Sequence, residues 1–376
     1  MERDIAIDYL RSSVTVAVVA HHAALAYNTF SHYDAAHYAK SAAPIVDTVR
    51  FAPLDVLVGW NDIFFMSLMF FISGLFVAPS IARKGIGCFL ADRRKRLGIP
   101  FVVAATLLGP MAYYPSWLLS DSISQGGFLS RFFTTDKGSA GPAWFIWVLL
   151  AFCVVVAIAY QFVPNLMRKL SWSPKSTGNL VVTVLAVTLM ATIPMQLFIA
   201  PEEWFRVAGP LYFPAKRSTL YFAWFLLGVA LGSADPERSL SRENLRPWPL
   251  WLTVGALGYA THGILSTGKY LLNTPAWVLT LILAAAFSFC CTFTSLGAIG
   301  LARSCFRTKW SPADHFSENA YGVYIFHYGF VIWLQFSLLS QPMPAVVKFL
   351  ITFSVALTAS WFLTALLRKT AAKRVL

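Results

Sequence analysis

The sequence predicts an all-α polytopic membrane protein, a bundle of about ten transmembrane helices with both termini in the cytoplasm. Three observations predict it. The 376-residue chain is 57% apolar and only 12% charged, about half the charged fraction of an ordinary soluble domain, and its mean hydropathy is +0.61. Apolar runs long enough to cross roughly 30 Å of hydrocarbon recur along its whole length. Basic residues sort into alternate connections, as the positive-inside rule requires. Residues 1–376 read as a single integral-membrane domain, with no soluble domain, no strand pattern and no repeat of fixed period.

The runs fall at residues 5–30, 61–78, 97–119, 143–163, 179–199, 219–232, 250–265, 276–300, 317–339 and 345–367. The sixth and seventh are short and glycine-bearing, which predicts tilted or broken spans. One set of connections holds Arg3 and Arg11, then Arg83, Lys84 and Arg93 to Arg96, then Arg168, Lys169 and Lys175, then Arg238, Arg242 and Arg246, then Arg303, Arg307 and Lys309, and last Arg368, Lys369, Lys373 and Arg374. The other set holds Lys40, Arg50, Arg131, Lys137, Arg206, Lys216, Arg217, Lys269 and Lys348. This bias places both termini inside and requires an even number of spans. Tryptophans near run ends, such as Trp60, Trp117, Trp144, Trp224, Trp251 and Trp310, fit interfacial belts. The longest outer loops, residues 31–60 and 120–142, are candidates for a lid or an acceptor site.

The net charge of +13 does not point to nucleic acid, because the basic residues sit in short loops between apolar runs. Anionic headgroups and anionic substrates are the expected partners. Five cysteines, an odd number, do not read as a disulfide framework. Cys153, Cys290 and Cys291 fall in spans, and Cys88 and Cys305 in cytoplasmic loops, where thiols stay reduced. Arg11 and the His21–His22 pair interrupt the first apolar run, so it does not read as a cleavable signal peptide.

Chemistry concentrates on the first helix. Asp8, Arg11, Thr15, Val18 and His22 share one face by i, i+3, i+4 spacing. Arg11 and His22 are eleven positions apart, about 16 Å along a helix axis and within roughly 20° of the same face. Ionisable groups at membrane depth are costly and are a functional-site hypothesis by default. Asp8 can pair with Arg11 at the inner mouth, where Arg11 can also simply snorkel to headgroups. His22 lies too deep to snorkel; it is either a structural histidine bonded between helices or a general base. His21 points about 100° away and is its neighbour. Adjacent histidines diverge on a helix and cannot easily chelate one ion, so no metal site is expected. No serine–histidine–acid or cysteine–histidine set is legible.

A second cluster, Asp92-Arg93-Arg94-Lys95-Arg96-Leu97-Gly98-Ile99-Pro100, leads into the third span. Arg93 and Arg96 are three apart and face one way on a helix; Pro100 marks a boundary or kink. The cluster is either plain positive-inside charge or a phosphate clamp, since guanidinium groups bind phosphate bidentately. Asn61, Asp62, Ser67 and Ser73 on the second span, and Glu318, Asn319, Tyr321, Tyr324, His327 and Tyr328 on the ninth, are weaker signals that core packing accounts for more simply. His262 and His315 read as incidental. No phosphate-binding GxxxxGK[ST] or GxGxxG loop is present.

With these residues in place, the chain resembles the acyltransferase 3 family of integral membrane acyltransferases. The carrying segments are Ile7-Asp8-Tyr9-Leu10-Arg11 followed by ten residues and His22-Ala23, then Met69-Phe70-Phe71-Ile72-Ser73-Gly74, then Phe89 to Pro100, then Trp144-Phe145 and Tyr321-Gly322-Val323-Tyr324-Ile325-Phe326-His327. The stretches GPAWFIWVLL and HYGFVIWLQ look most like the branch that includes periplasmic-glucan succinyltransferases, and the esterase-like C-terminal domain of some relatives is not expected. The resemblance implies ten helices in the cell inner membrane, no permanently bound cofactor, and O-acylation of a carbohydrate or similar hydroxyl outside by acyl-coenzyme A reached from the cytoplasm. It implies that His22 is essential, that Arg11 is important, and that Arg93 and Arg96 are important too. The expected site is therefore His22, Arg11 and Asp8 for catalysis, with Arg93, Arg96 and Arg11 holding the donor. Expected partners are acyl-coenzyme A, the outer acceptor and the lipid bilayer; a homodimer is open and nucleic acid is excluded. The rival from another class is a transporter or exporter of a small anion or sugar, with Arg11 and His22 lining its path; the lack of visible inverted repeats weighs against it.

Overall fold

The computed structural model describes residues 4–41, 43–136, 138–163, 165–199, 204–234, 236–267 and 274–376. Arg3, Lys137 and Lys269 of the charge pattern lie outside the described residues. Ten long helical segments lie at the expected apolar runs: α1 (Ile5–Ala24), α2 (Pro53–Leu75), α3 (Val77–Leu118), α4 (Gly141–Phe162), α5 (Thr177–Phe198), α6 (Ser218–Ser233), α7 (Trp248–Ser266), α8 (Ala276–Cys305), α9 (Ser311–Leu338) and α10 (Ala345–Leu367). Among the described residues, six helices are long and apolar enough to cross a membrane: α2, α3, α4, α5, α8 and α10. The chain is a mostly helical, multi-pass membrane protein. α6 and α7 fall short in length or hydropathy, and α1 and α9 carry the polar residues of the site described below.

Several boundaries differ from expectation, each for a local reason. α1 starts on Asp4, whose carboxylate accepts from the Ile7 amide at 3.2 Å. It ends at Ala24 rather than near residue 30, because Asn28 and Thr29 turn the chain. Asn28 accepts from the Ser31 amide at 2.7 Å, and the Thr29 amide donates to Asp55 at 2.7 Å. α2 begins at Pro53, a residue suited to the first helical turn, so the preceding loop is shorter than the sequence suggests. Charged Asp55 hid that first part of the helix. Cys88 and Cys305, expected in loops, are helical and exposed; all five thiols are free.

The expected boundary at Pro100 is not one: α3 runs through it. The path is non-helical at Gly85, where φ is 75°, and contains two π-helical turns, Arg94–Gly98 and Ala104–Leu108. A helical proline lacks the amide that would bond the carbonyl four residues back. Pro100 thus has no amide to give the Arg96 carbonyl, nor Pro115 to give the Met111 carbonyl. α9 covers both: the Tyr321 hydroxyl donates to Arg96 O, and the Trp333 indole donates to Met111 O at 2.9 Å.

A two-stranded antiparallel hairpin, β1 (Trp204–Ala208) and β2 (Leu211–Pro214), corrects the expectation of no strands. Aromatic and β-branched residues (Trp204, Phe205, Val207, Tyr212 and Phe213) favour it, around a turn at Gly209 with φ of 46°. The pattern is too short to stand out among apolar spans.

Glycine seats the sixth span closely against the second. Gly228 and Gly232, four apart on α6, sit directly on the backbone of Phe71 and Leu75 in α2, and Gly74 of α2 sits on the backbone of Phe225 and Gly228. Small residues at such a seam let helices approach closely where lipid supplies no hydrophobic drive. The main core joins α1, α2, α3, α4, α6 and α8, and α9 packs against both α1 and α10.

Candidate active site

His21 and His22 occupy the last turn of α1. His21 is buried, with its ring 5.2 Å from Phe65 of α2. His22 keeps partial exposure and meets two rings of α9: His327 at 5.3 Å and Tyr328 at 5.2 Å between centroids. Gln335, also on α9, donates its amide to the carbonyls of His22 at 2.9 Å and Ala23 at 3.2 Å, fixing this end of α1. His327 is fully buried, and its Nδ1 lies 2.8 Å from the Tyr324 carbonyl. A carbonyl only accepts, so Nδ1 carries the proton of the neutral ring. Among the described residues, Nε2 of His327 and Nδ1 of both His21 and His22 are buried without hydrogen-bond partners.

A hydroxyl network adjoins this cluster. Tyr328 donates to Tyr113 of α3 at 3.4 Å, Ser139 donates to Tyr113 at 2.9 Å, and Ser139 lies 2.8 Å from the Tyr212 hydroxyl of the hairpin, which donates to Gly141 O at 3.2 Å. Gly141 has a positive φ of 51°, and a Cβ there would come within 2.7 Å of the Tyr328 ring. The turn therefore needs glycine both for its backbone and to seat Tyr328. The Tyr324 hydroxyl donates to the Pro142 carbonyl beside it. The tyrosines spaced i, i+3, i+7 on α9 do share a face, and that face docks on α3 and the Gly141 turn.

At the other end of α1, Asp8 and Arg11 pair at 3.3 Å, with Arg11 43% exposed. Arg93 is partly buried and lies over the Phe89 ring at 5.1 Å. Arg96 is exposed and sits in the first π-turn, so its spacing from Arg93 is not that of a regular α-helix. Asp92 pairs with Lys84. Tyr321 of α9 reaches this segment, its hydroxyl donating to Arg96 O. From Tyr321 to Tyr328 is two turns of α9, about 10 Å along its axis. α9 thus connects the Arg93–Arg96 region to the ring cluster around His22, while Arg11 and His22 lie at two ends of α1.

Other polar residues picked out in the sequence make structural contacts between or within helices. Asn61 donates to Ala17 O at 3.3 Å, and Asp62 pairs with Arg217 at 2.6 Å. Glu318 pairs with Arg368 at 3.6 Å, and Asn319 donates to His315 O at 2.7 Å. Sequence reasoning missed Tyr113, Ser139, Gly141, Tyr212 and Gln335. They come from four separate segments; Gly141 and Gln335 fall inside the stretches GPAWFIWVLL and HYGFVIWLQ that carry the resemblance, which assigned them no role.

A family model described as an acyltransferase domain, Acyl_transf_3, matches residues 4–365. The chain belongs to the acyltransferase 3 family. No curated protein and no solved structure matches it. The match to the acyltransferase 3 family begins at the capping residue of α1 and reaches into α10, so it takes in every residue of the cluster around His22. The unpartnered imidazole nitrogens at the end of α1 are of a type that can take a proton or carry an acyl group.

Proposed function

We propose that this acyltransferase moves an acyl group from cytoplasmic acyl-coenzyme A to a hydroxyl of a carbohydrate or similar acceptor on the outer side of the cell inner membrane, with His22 at the reacting centre. The observation that carries the reading is the placement of His22: a partly exposed imidazole with an unpartnered nitrogen, at the far end of the helix that holds the Asp8–Arg11 pair. The topology that goes with it has ten spans and both termini in the cytoplasm, in keeping with the charge alternation.

In this reading the donor's phosphates dock on Arg93, Arg96 and Arg11, whose guanidinium groups suit them, and the pantetheine arm runs along α1. His22 either deprotonates the acceptor hydroxyl or takes the acyl group transiently. Asp8 orients Arg11. Acetyl- and succinyl-coenzyme A serve as donor probes for protein reconstituted in liposomes. His22→Ala should abolish transfer to an external acceptor while the protein stays folded; near-normal activity would overturn the central assignment. Arg11→Ala, Arg93→Ala and Arg96→Ala should chiefly raise the donor KM. An unchanged donor dependence in all three would remove the clamp. Ping-pong kinetics or a trapped acyl-histidine selects the covalent route.

A further inference from the structure

We infer that His327 is a positioning residue that fixes the tautomer of His22, so that His22 holds its proton on Nδ1 and presents a bare Nε2 to the acceptor hydroxyl. This rests on His22 being the base proposed above. The geometry supplies the reason. A neutral imidazole carries one N–H, and His327 commits its own to the Tyr324 carbonyl at 2.8 Å. Its Nε2 can then only accept. That nitrogen is buried and unpartnered, as is Nδ1 of His22, and the two rings lie 5.3 Å apart at a tilt of 36°. Leaving a buried polar atom unpaired is costly, so two such atoms on adjacent rings favour one hydrogen bond, made by a small shift of the rings or through a single water.

The other neighbours are committed elsewhere. Tyr328 gives its proton to Tyr113. The His21 ring stands nearly perpendicular to His22, at 83°, and lies against Phe65, with the Asp62–Arg217 ion pair beyond it. Among the described residues, no carboxylate hydrogen-bonds to His22. His327 therefore occupies the place that an orienting carboxylate takes in other histidine bases.

The step balances within the pair. The acceptor O–H proton moves to Nε2 of His22 as the oxygen attacks the thioester carbonyl. The resulting imidazolium keeps its Nδ1–H on Nε2 of His327, and the C–S bond breaks. The Nε2 proton then leaves with the coenzyme A sulfur, giving an ester and a thiol.

Two substitutions separate the roles of the His327 nitrogens. Asn at 327 keeps a donor near the Tyr324 carbonyl and removes the Nε2 acceptor; Gln at 327 keeps an acceptor near the Nε2 position. His327→Asn should lower kcat by about 100-fold, within the range of a lost acid–base contribution, with the donor KM unchanged within twofold. The acid limb of its kcat–pH profile should move to lower pH, because the imidazolium loses its acceptor. His327→Gln should keep kcat within tenfold of the parent. Solid-state NMR of protein labelled with 15N-histidine, with the His22 signals identified by their loss in His22→Ala, should show Nδ1–H on His22 in the parent and a tautomer mixture in His327→Asn. Equal losses in both variants, an unmoved acid limb, or an Nε2–H tautomer in the parent would overturn the inference. If His22→Ala retains activity, the base assignment itself fails. If His22→Ala is inactive while His327→Asn matches the parent, only the role of His327 fails.

Discussion

Replacing Lys348 by methionine should cost about 3–5 kcal/mol, the range found when one partner of a buried ion pair is removed. Lys348 and Asp47 are 0% and 1% exposed and pair at 2.7 Å. The Lys348 ammonium also donates to Leu339 O at 3.3 Å, and Asp47 accepts from the Val49 amide at 3.0 Å. Lys348→Met therefore leaves a buried carboxylate uncompensated and a carbonyl without its donor. At about 2–4 °C per kcal/mol, the thermal midpoint in detergent should fall by roughly 10 °C, read by tryptophan fluorescence. The segment around Asp47 is also tied to the end of α1, since the Asp47 amide donates to Ala26 O at 2.9 Å, so acyl transfer should fall as well. Adding Asp47→Asn removes the stranded charge and keeps an acceptor for Val49. The double variant should recover more than half of the lost stability. If it is as unstable as Lys348→Met alone, or if the single change costs under about 1 kcal/mol, the desolvation argument is wrong.

Trp333→Phe should cost about 1 kcal/mol by leaving Met111 O without a donor, and less in a Pro115→Ala background, where residue 115 regains an amide for that carbonyl; equal costs in the two backgrounds, measured by a thermal double-mutant cycle, would refute the proline explanation. Gly228→Ala presses a methyl group into the Phe71 carbonyl and should lose about 1–3 kcal/mol, whereas Gly87→Ala, in open space, should stay within about 0.5 kcal/mol; indistinguishable midpoints would mean the α2–α6 seam relaxes. Gly141→Ala should reduce acyl transfer more than it reduces thermal stability, because it unseats Tyr328 beside His22; unchanged turnover in liposomes would separate Tyr328 from the reaction.

The helical architecture was legible because apolar runs and loop charge are one-dimensional signals. So were the Asp8–Arg11 contact and the tyrosine face of α9, since i+3 and i+4 neighbours follow from helix geometry alone. The surroundings of His22 were not legible. His327 and Gln335 meet it from more than 300 positions away, and Ser139 joins Tyr113 and Tyr212 through a turn whose shape depends on tertiary contacts. Pro100 of α3 read as a boundary or kink because propensity treats a lost amide as an interruption. The chain continues because side chains of another helix supply the missing donors. Lys348 looked like one stray outer charge; only the fold shows that its partner is Asp47.

α1 is also an oriented dipole. Its amino end is capped by Asp4 and its carboxyl end carries His21 and His22. Aligned peptide units put about half a negative elementary charge at that carboxyl end. A positive charge forming on His22 as it takes a proton would arise at the favourable pole of a 20-residue helix. That field is built into the backbone and needs no side chain to move, so it would offer the imidazole proposed to react a fixed counter-charge in a part of the bundle where no carboxylate pairs with it among the described residues. Gln335 sets how fully that pole is felt, since its amide already engages two of the terminal carbonyls.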